Sequence, residues 1–226
     1  MSKKEKALQE EKEWERVDEA VMESGRFLAK YQKQLLIGVA AIAVIVCGYF
    51  AYQNFYQKPK TEEAQVALYK GQLYFMDGKD SVALFGNGND YLGFDAVIDQ
   101  YGSTEPGNLA KAYAGLIYKK QGDYEKALSY LKSYDGSDEI FQYLVKGAIG
   151  DCLSNTGRTE EAIPFYQDAA KKLDDELYSP LFYKKAALAY RSLGQYDKVS
   201  EIFTTIKNRY ANSMKAMEAD KYIEEA

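Results

Sequence analysis

Three glycines, Gly122, Gly157 and Gly194, recur along the second half of the chain at intervals of 35 and 37 residues. Each glycine lies between two apolar, helix-like stretches, in the sequences YKKQGDYEKALSYL, LSNTGRTEEAIPFY and YRSLGQYDKVSEIF. Glycine adopts a positive φ without steric cost, so it can end a helix in a tight turn. A unit that returns at this period predicts stacked helix–turn–helix pairs that share one elongated core.

Small and large residues also recur at matching places in the three units. The small places hold Gly115 and Ala127, Gly150 and Ala162, and Ala187, and the large places hold Tyr118/Leu131, Leu153/Tyr166 and Tyr190/Phe203. In this pattern the chain resembles the tetratricopeptide repeat, a helix pair of about 34 residues with small side chains where its helices cross. The resemblance implies an all-α fold, an α-solenoid of such pairs.

A fourth unit is expected before these three. Residues 62–76 and 91–101 have the composition of its two helices, and residues 77–90, DGKDSVALFGNGND, lie between them. This segment has neither the acidic spacing of a calcium-binding EF-hand nor a phosphate-binding Gly-Lys-Ser/Thr, so we predict an irregular surface insertion. Residues 213–226 are predicted to form a terminal helix that covers the last repeat. The solenoid therefore has about four helix pairs.

An apolar run precedes the repeats. Residues 35–52, LLIGVAAIAVIVCGYFAY, contain no charged side chain. As a helix they would extend ~27 Å, close to the ~30 Å thickness of the bilayer hydrocarbon. A cleaved signal peptide is disfavoured because 34 residues rich in both charges come first, and Val46 before Cys47 disfavours a lipid attachment site. We predict a single uncleaved transmembrane helix.

The predicted organisation has four parts: a juxtamembrane segment at 1–34, the span at 35–52, a linker at 53–60 and the repeat domain at 61–226. Basic residues just before the span favour a cytoplasmic N-terminus and a periplasmic repeat domain, at the bacterial inner membrane. Within 1–34, the apolar residues Trp14, Val17, Val21 and Leu28 have helical spacing. This helix either lies on the membrane or a partner, or is a solvated continuation of the span.

Composition argues against several classes of function. The chain has no histidine, which removes the commonest general base and every histidine metal site. Residues 61–226 carry 19 basic against 26 acidic side chains, which disfavours binding to nucleic acid. We find no catalytic, cofactor-binding or metal-binding motif. The sequence therefore predicts a protein that is not an enzyme, has no cofactor and takes no small-molecule substrate.

In such a solenoid the first helix of each pair lines a concave surface that binds polypeptides. The positions expected to face inward share the spacing i, i+4, i+7 on each first helix. They give a predicted protein-binding groove of mixed character, with Ala112, Leu116, Lys119, Asp151, Lys184, Leu188 and Arg191.

One anchor followed by about four repeats also resembles the bacterial inner-membrane accessory proteins of the Sec translocon. The stretch GNGNDYLGFDAVIDQYGSTEPGNLAKAYAGLIY is similar to Bacteroidetes tetratricopeptide proteins of this architecture. The resemblance implies a chaperone-like adaptor whose partners are translocon subunits, periplasmic chaperones or unfolded clients, held to lipid by one span. The alternative is a structural scaffold of an envelope complex, for outer-membrane assembly or cell division.

Overall fold

The computed structural model describes the backbone of residues 3–226 and the side chains of residues 14, 16, 22, 30–34 and 36–226. All regular secondary structure of residues 3–226 is helical. The chain divides into two compact units, Met1–Gln57 and Lys58–Ala226. The predicted all-α class is confirmed.

The first unit consists of helix α1 (Lys3–Tyr52) and a π-helical turn (Gln53–Gln57). An 18-residue window within the helical stretch Lys30–Met76 has a mean hydropathy of 2.4 and no buried side chain. By length and composition, one helix near the N-terminus is therefore able to cross a membrane. Of the predicted amphipathic stripe, Trp14 is exposed, whereas the side chains of Val17, Val21 and Leu28 lie outside the described residues.

The second unit is a solenoid of four helix pairs, as predicted. The first helices are α2 (Lys58–Met76), α5 (Glu105–Gln121), α7 (Glu139–Asn155) and α9 (Ser179–Ser192). Their partners are α4 (Phe94–Tyr101), α6 (Tyr124–Lys132), α8 (Thr159–Leu173) and α10 (Tyr196–Arg209). One continuous apolar core runs through these pairs. The segment 53–60, expected as a linker, is helical: it comprises the π-helical turn and the start of α2.

The three recurring glycines end first helices in the same way. Gly122, Gly157 and Gly194 have φ of +84°, +79° and +72°. The amide of the residue after each glycine donates to the carbonyl of Tyr118, Leu153 or Tyr190, at 2.9 to 3.0 Å. A left-handed residue followed by such a bond is the usual C-terminal turn of an α-helix.

The small residues occur where the helices of a pair cross. A Cβ placed on Gly115 would lie 2.6 Å from Leu131 Cγ, and one on Gly150 would lie 2.7 Å from Tyr166 Cε1. Both partners occupy the large positions that the sequence paired with these glycines. Since carbon atoms in contact prefer about 3.5–4.0 Å, only glycine allows this approach.

The segment between α2 and α4 differs from the predicted irregular insertion because part of it is helical and packed. Helix α3 (Asp80–Phe85) buries Ala83 and Leu84. The hydroxyl of buried Tyr91 donates to the carbonyl of Ala83 at 2.8 Å, and Asn87 Oδ1 accepts the amides of residues 89, 90 and 91. Ala83, Leu84 and Tyr91 are buried in the core cluster, and their packing explains why the segment is ordered.

Two short helices follow α10: α11 (Met214–Met217) and α12 (Ala219–Glu224). Ala219 is fully buried, and the ring of Tyr222 stacks on Phe203 of α10 with centroids 4.3 Å apart. The predicted terminal helix is therefore divided in two, and it covers the last pair through its apolar side.

Candidate functional site

The first helices of the last three pairs are joined by one carboxylate. Asp151 of α7 lies 3.1 Å from Lys119 Nζ of α5 and 2.6 Å from Lys185 Nζ of α9. Tyr166 of α8 also donates its hydroxyl to Asp151 Oδ1 at 3.0 Å. We call the surface formed by Leu116, Lys119, Asp151, Lys185 and Leu188 the first-helix face. Its centre is thus a lysine–aspartate–lysine line that crosses three helices.

The groups around Asp151 are largely enclosed. The side chains of Lys119, Asp151 and Lys185 keep 28%, 20% and 31% of their accessible surface. Burial and then the Asp151 charge raise the pKa of the Tyr166 phenol well above its ordinary value, so the hydroxyl stays protonated and donates. Lys185 also lies 5.7 Å from the Tyr166 ring centroid and 5.6 Å from that of Phe182, within cation–π range.

The fold positions Asp151 by packing on both sides of it. Cys152 and Leu153 are fully buried in the core. Because they fix the orientation of α7, the side chain of Asp151 lies on the first-helix face. The α7 helix starts at a side-chain cap, where Asp138 accepts the amide of Phe141 at 2.8 Å. Glycine at position 147 lets Phe182 lie directly against α7, since a Cβ there would be 2.0 Å from the ring.

The predicted groove residues differ in how far the structure leaves them accessible to a partner. Lys119 and Asp151 are in direct contact, as their ion pair shows. Leu116 is half-buried against the core, and Leu188 keeps 42% of its surface exposed. Ala112 is fully buried, so its side chain offers nothing to a partner.

Two other predicted groove residues contact the end of the chain. Lys184 pairs with Glu218 and lies 5.1 Å from the ring centroid of Tyr222. Arg191 Nη2 lies 3.3 Å from Glu225 Oε2. These cations are therefore already engaged by the segment that follows α10.

Sequence reasoning missed Lys185 and Tyr166 as members of the polar centre. Lys185 follows Lys184 directly, so the helical spacing alone did not decide which lysine meets Asp151. Tyr166 matched a large core position of the repeat, which hid the role of its hydroxyl. A buried phenol needs a hydrogen-bond partner, so a tyrosine at a core position of the repeat was a sign that a polar group lies nearby.

A second aspartate binds two phenols at the junction of the first two pairs. Asp95 of α4 accepts the hydroxyls of Tyr118 and Tyr130, each at 3.0 Å. Lys126 Nζ lies 2.6 Å from the Tyr118 hydroxyl and 4.0 Å from that ring centroid. Burial raises the pKa of both phenols. This cluster joins α4, α5 and α6, and we assign it to stability.

The first-helix face is built from charged and apolar side chains. Within the part of the chain that the structure describes, no group of three or more Cys, Asp or Glu side chains is placed to hold a metal ion. The face offers two ammonium donors, one carboxylate acceptor and two leucine side chains. Such a mixture suits an extended polypeptide, which carries main-chain donors and acceptors at short intervals.

Comparisons with known proteins agree with this architecture. Residues 114–139 and 145–171 match the tetratricopeptide repeat family. A crystal structure of TPR-like repeats from a candidate kinesin light chain of Podosopora anserina superposes with a TM-score of 0.56 and 11% identity, covering 72% of this chain and 84% of that one. A point variant of that same protein gives 0.55, with the same identity and coverage. No curated protein matches the sequence. Two stretches of the chain therefore match tetratricopeptide repeats, and the solved structures show that the chain has the fold of a TPR-like solenoid.

Proposed function

We propose that this protein is a membrane-anchored adaptor that binds polypeptide segments on its first-helix face. The observation that carries the proposal is the line Lys119–Asp151–Lys185, which crosses α5, α7 and α9. Leu116 and Leu188 lie about one helical turn from its two lysines. An extended chain lying across these helices meets donors, an acceptor and apolar groups within one surface. Repeat solenoids commonly bind extended partners in this way.

Binding at this face uses groups that are already paired with each other. An incoming peptide carboxylate can take a hydrogen bond from Lys119 or Lys185, and an incoming amide can donate to Asp151. Each exchange replaces one charge-assisted bond with another, so the gain per contact is small. Such a surface suits many sequences at moderate affinity, which is the behaviour expected of a chaperone-like adaptor.

The membrane part of the proposal rests on the apolar window within Lys30–Met76. Basic residues before it favour an N-terminus in the cytoplasm and a repeat domain in the periplasm. The resemblance to translocon accessory proteins points to translocon subunits, periplasmic chaperones or unfolded clients as partners. The location proposed is therefore the bacterial inner membrane, beside the translocon.

In-cell photo-crosslinking tests the partner. A photoreactive residue replaces Leu116 or Leu188, and a matched control replaces Glu160, which is exposed on a second helix. The adaptor predicts crosslinks from both leucine positions to translocon subunits or to several unrelated clients, with few from position 160. Crosslinks confined to one folded envelope protein would instead establish a scaffold, and equal labelling from all three positions would refute binding at this face.

A reporter fused after Ala226 tests the topology independently. A reporter that is active only outside the cytoplasm should be active in this fusion. Activity of only a cytoplasm-dependent reporter would overturn the proposed orientation. It would leave peptide binding by the first-helix face untouched.

A further inference from the structure

A cavity of about 220 Å³ lies beside the start of α5, away from the Asp151 centre. Three aromatic rings and two carboxylates line it: Tyr113, Tyr134, Phe141, Glu105 and Asp138. We call this cavity the ring pocket. Its walls come from α5, from the loop between α6 and α7, and from the first turn of α7. The pocket thus belongs to two successive helix pairs.

The aromatic rings of the ring pocket contact one another with their planes inclined rather than parallel. Tyr134 and Phe141 have centroids 5.6 Å apart with their planes at 90°, and Tyr113 lies 6.0 Å from Phe141 at 36°. Tyr134 and Phe141 thus form an edge-to-face pair, and Tyr113 borders the same cavity beside them. Aromatic faces carry negative electrostatic potential, and cations within about 6 Å of a ring centroid are attracted to them.

The carboxylates add to this negative potential. Neither Glu105 nor Asp138 forms an ion pair with a lysine or arginine of the described residues. Burial raises the pKa of the Tyr134 phenol, and the charges of Asp138 and Glu105 raise it further. The phenol therefore lies in a field that disfavours a second anion and favours a cation.

The walls are held in place by contacts behind them. Tyr113 is stacked on Phe94 at 5.6 Å, and its hydroxyl accepts a hydrogen bond from Gln72 at 3.1 Å. Asn108 fixes the loop by donating to the Asp135 carbonyl at 2.6 Å and accepting its amide at 3.3 Å. A cation entering the pocket thus finds the rings already in place, which lowers the entropic cost of binding.

We propose that the ring pocket binds an organic cation, an alkylammonium or guanidinium group. Its volume is below the roughly 300–1,000 Å³ of pockets for drug-sized ligands, so it suits one charged group with a short apolar stem. That group has two sources: a lysine or arginine side chain of a polypeptide, or a free quaternary ammonium compound. The site is separate from the first-helix face, so its failure would leave the proposed function standing.

Binding of small probes to the full chain in a maltoside detergent tests the proposal. Choline, N-acetyl-lysine amide and N-acetyl-arginine amide are titrated by saturation-transfer NMR, with 3,3-dimethylbutan-1-ol as the neutral analogue of choline. Cation recognition predicts that at least one charged probe binds about fivefold or more tightly than the alcohol. Preference for choline identifies the free compound, and preference for either amide identifies a side chain. Equal binding of alcohol and cations, or no binding at all, overturns the proposal.

Two double variants test whether the cation binds in the ring pocket. Glu105→Gln/Asp138→Asn removes the charges, and asparagine still caps α7. This variant should weaken the favoured cation about fivefold or more while leaving the alcohol unaffected. The control Glu160→Gln/Glu161→Gln removes two carboxylates from the first turn of α8 and should change nothing. Equal weakening by both pairs would show an effect of net charge alone and would overturn the site.

Substitution of Tyr134 tests the aromatic side of the ring pocket without altering charge. Tyr134→Phe keeps the ring and should retain cation binding, whereas Tyr134→Leu removes it and should weaken binding about fivefold or more. Far-UV circular dichroism shows whether the leucine variant keeps its helices. Retained cation affinity in a folded leucine variant would contradict the role of the ring.

Discussion

The carboxylate of Asp151 lies 2.6 Å from the ammonium of Lys185, which belongs to the next first helix along the array. The same carboxylate is 3.1 Å from Lys119 of the preceding first helix. Neighbouring repeats in a solenoid are normally coupled through apolar contacts between adjacent pairs. Here one side chain also couples three pairs through charge.

Replacing Asp151 by alanine should destabilise the repeat domain by about 1–3 kcal/mol, because Lys119, Lys185 and the Tyr166 hydroxyl lose their shared acceptor. Urea unfolding followed by circular dichroism measures the effect. Asp151→Asn keeps an oxygen acceptor, so its stability should lie between those of Asp151→Ala and the native protein. The matched control is Asp197→Ala on the exposed surface of α10, which should stay within about 0.5 kcal/mol of the native protein. An unchanged midpoint in Asp151→Ala would contradict the coupling.

Gly150→Ala and Gly122→Ala should both destabilise the domain, for different reasons. At Gly150 the added methyl would lie 2.7 Å from the Tyr166 ring, so we expect a loss of about 1–3 kcal/mol from overpacking. At Gly122 the space is open but φ is +84°, so the loss should be about 1 kcal/mol.

Asparagine separates the two causes, since it tolerates the left-handed conformation better than alanine. Gly122→Asn should therefore be less destabilised than Gly122→Ala in the same unfolding measurement. At Gly150, asparagine should destabilise the domain at least as much as alanine does. The reverse order at either position would contradict the explanation given for it.

Cys152 should make stability fall in alkaline solution. Burial raises the pKa of its thiol from 9.0 to about 11. The unfolded thiol loses its proton above about pH 9, whereas the folded thiol keeps it until about pH 11. This contribution is therefore complete below pH 9 and is lost as the pH rises toward 11. Urea unfolding at pH 8 to 11 should show a smaller decline in Cys152→Ala than in the native protein. An equal decline in both would contradict this origin.

The order of the segment before α4 should depend on Asn87 and Tyr91. Asn87→Ala removes the oxygen that accepts three backbone amides, and Tyr91→Phe removes a buried hydrogen bond worth about 1 kcal/mol. Limited proteolysis should then cut faster within 86–92 in both variants. The control Asn155→Ala alters a single side-chain bond on α7 and should leave that rate unchanged. Equal cleavage in all proteins would contradict an ordered segment.

The repeat architecture was predictable because its signals are local. Gly122, Gly157 and Gly194 each fix a turn by backbone conformation, and Gly115 and Gly150 each mark a helix crossing. Both effects act between residues close in sequence, at a spacing that recurs. The turn residues and the paired large residues therefore appear in the structure where the sequence placed them.

The polar contacts were less predictable because they depend on which residue arrives from another helix. The sequence placed Lys184 in the groove, whereas the structure shows that the neighbouring Lys185 forms the ion pair with Asp151. The segment 77–90 was predicted to be irregular because its three glycines and two asparagines outweighed Ala83 and Leu84. Its order comes from Tyr91, whose partner is eight residues away.

The contacts of Lys184 with Glu218 and of Arg191 with Glu225 have a consequence for ligand selection. The two carboxylates are tethered to the surface that they contact, so they act as an intramolecular competitor. Competitors on short tethers have effective concentrations of about the millimolar range. An acidic ligand that approaches Lys184 or Arg191 must displace them, so a weakly binding ligand gains little affinity from these two cations. Selection at this end of the array therefore favours ligands long enough to gain their affinity from α5 and α7.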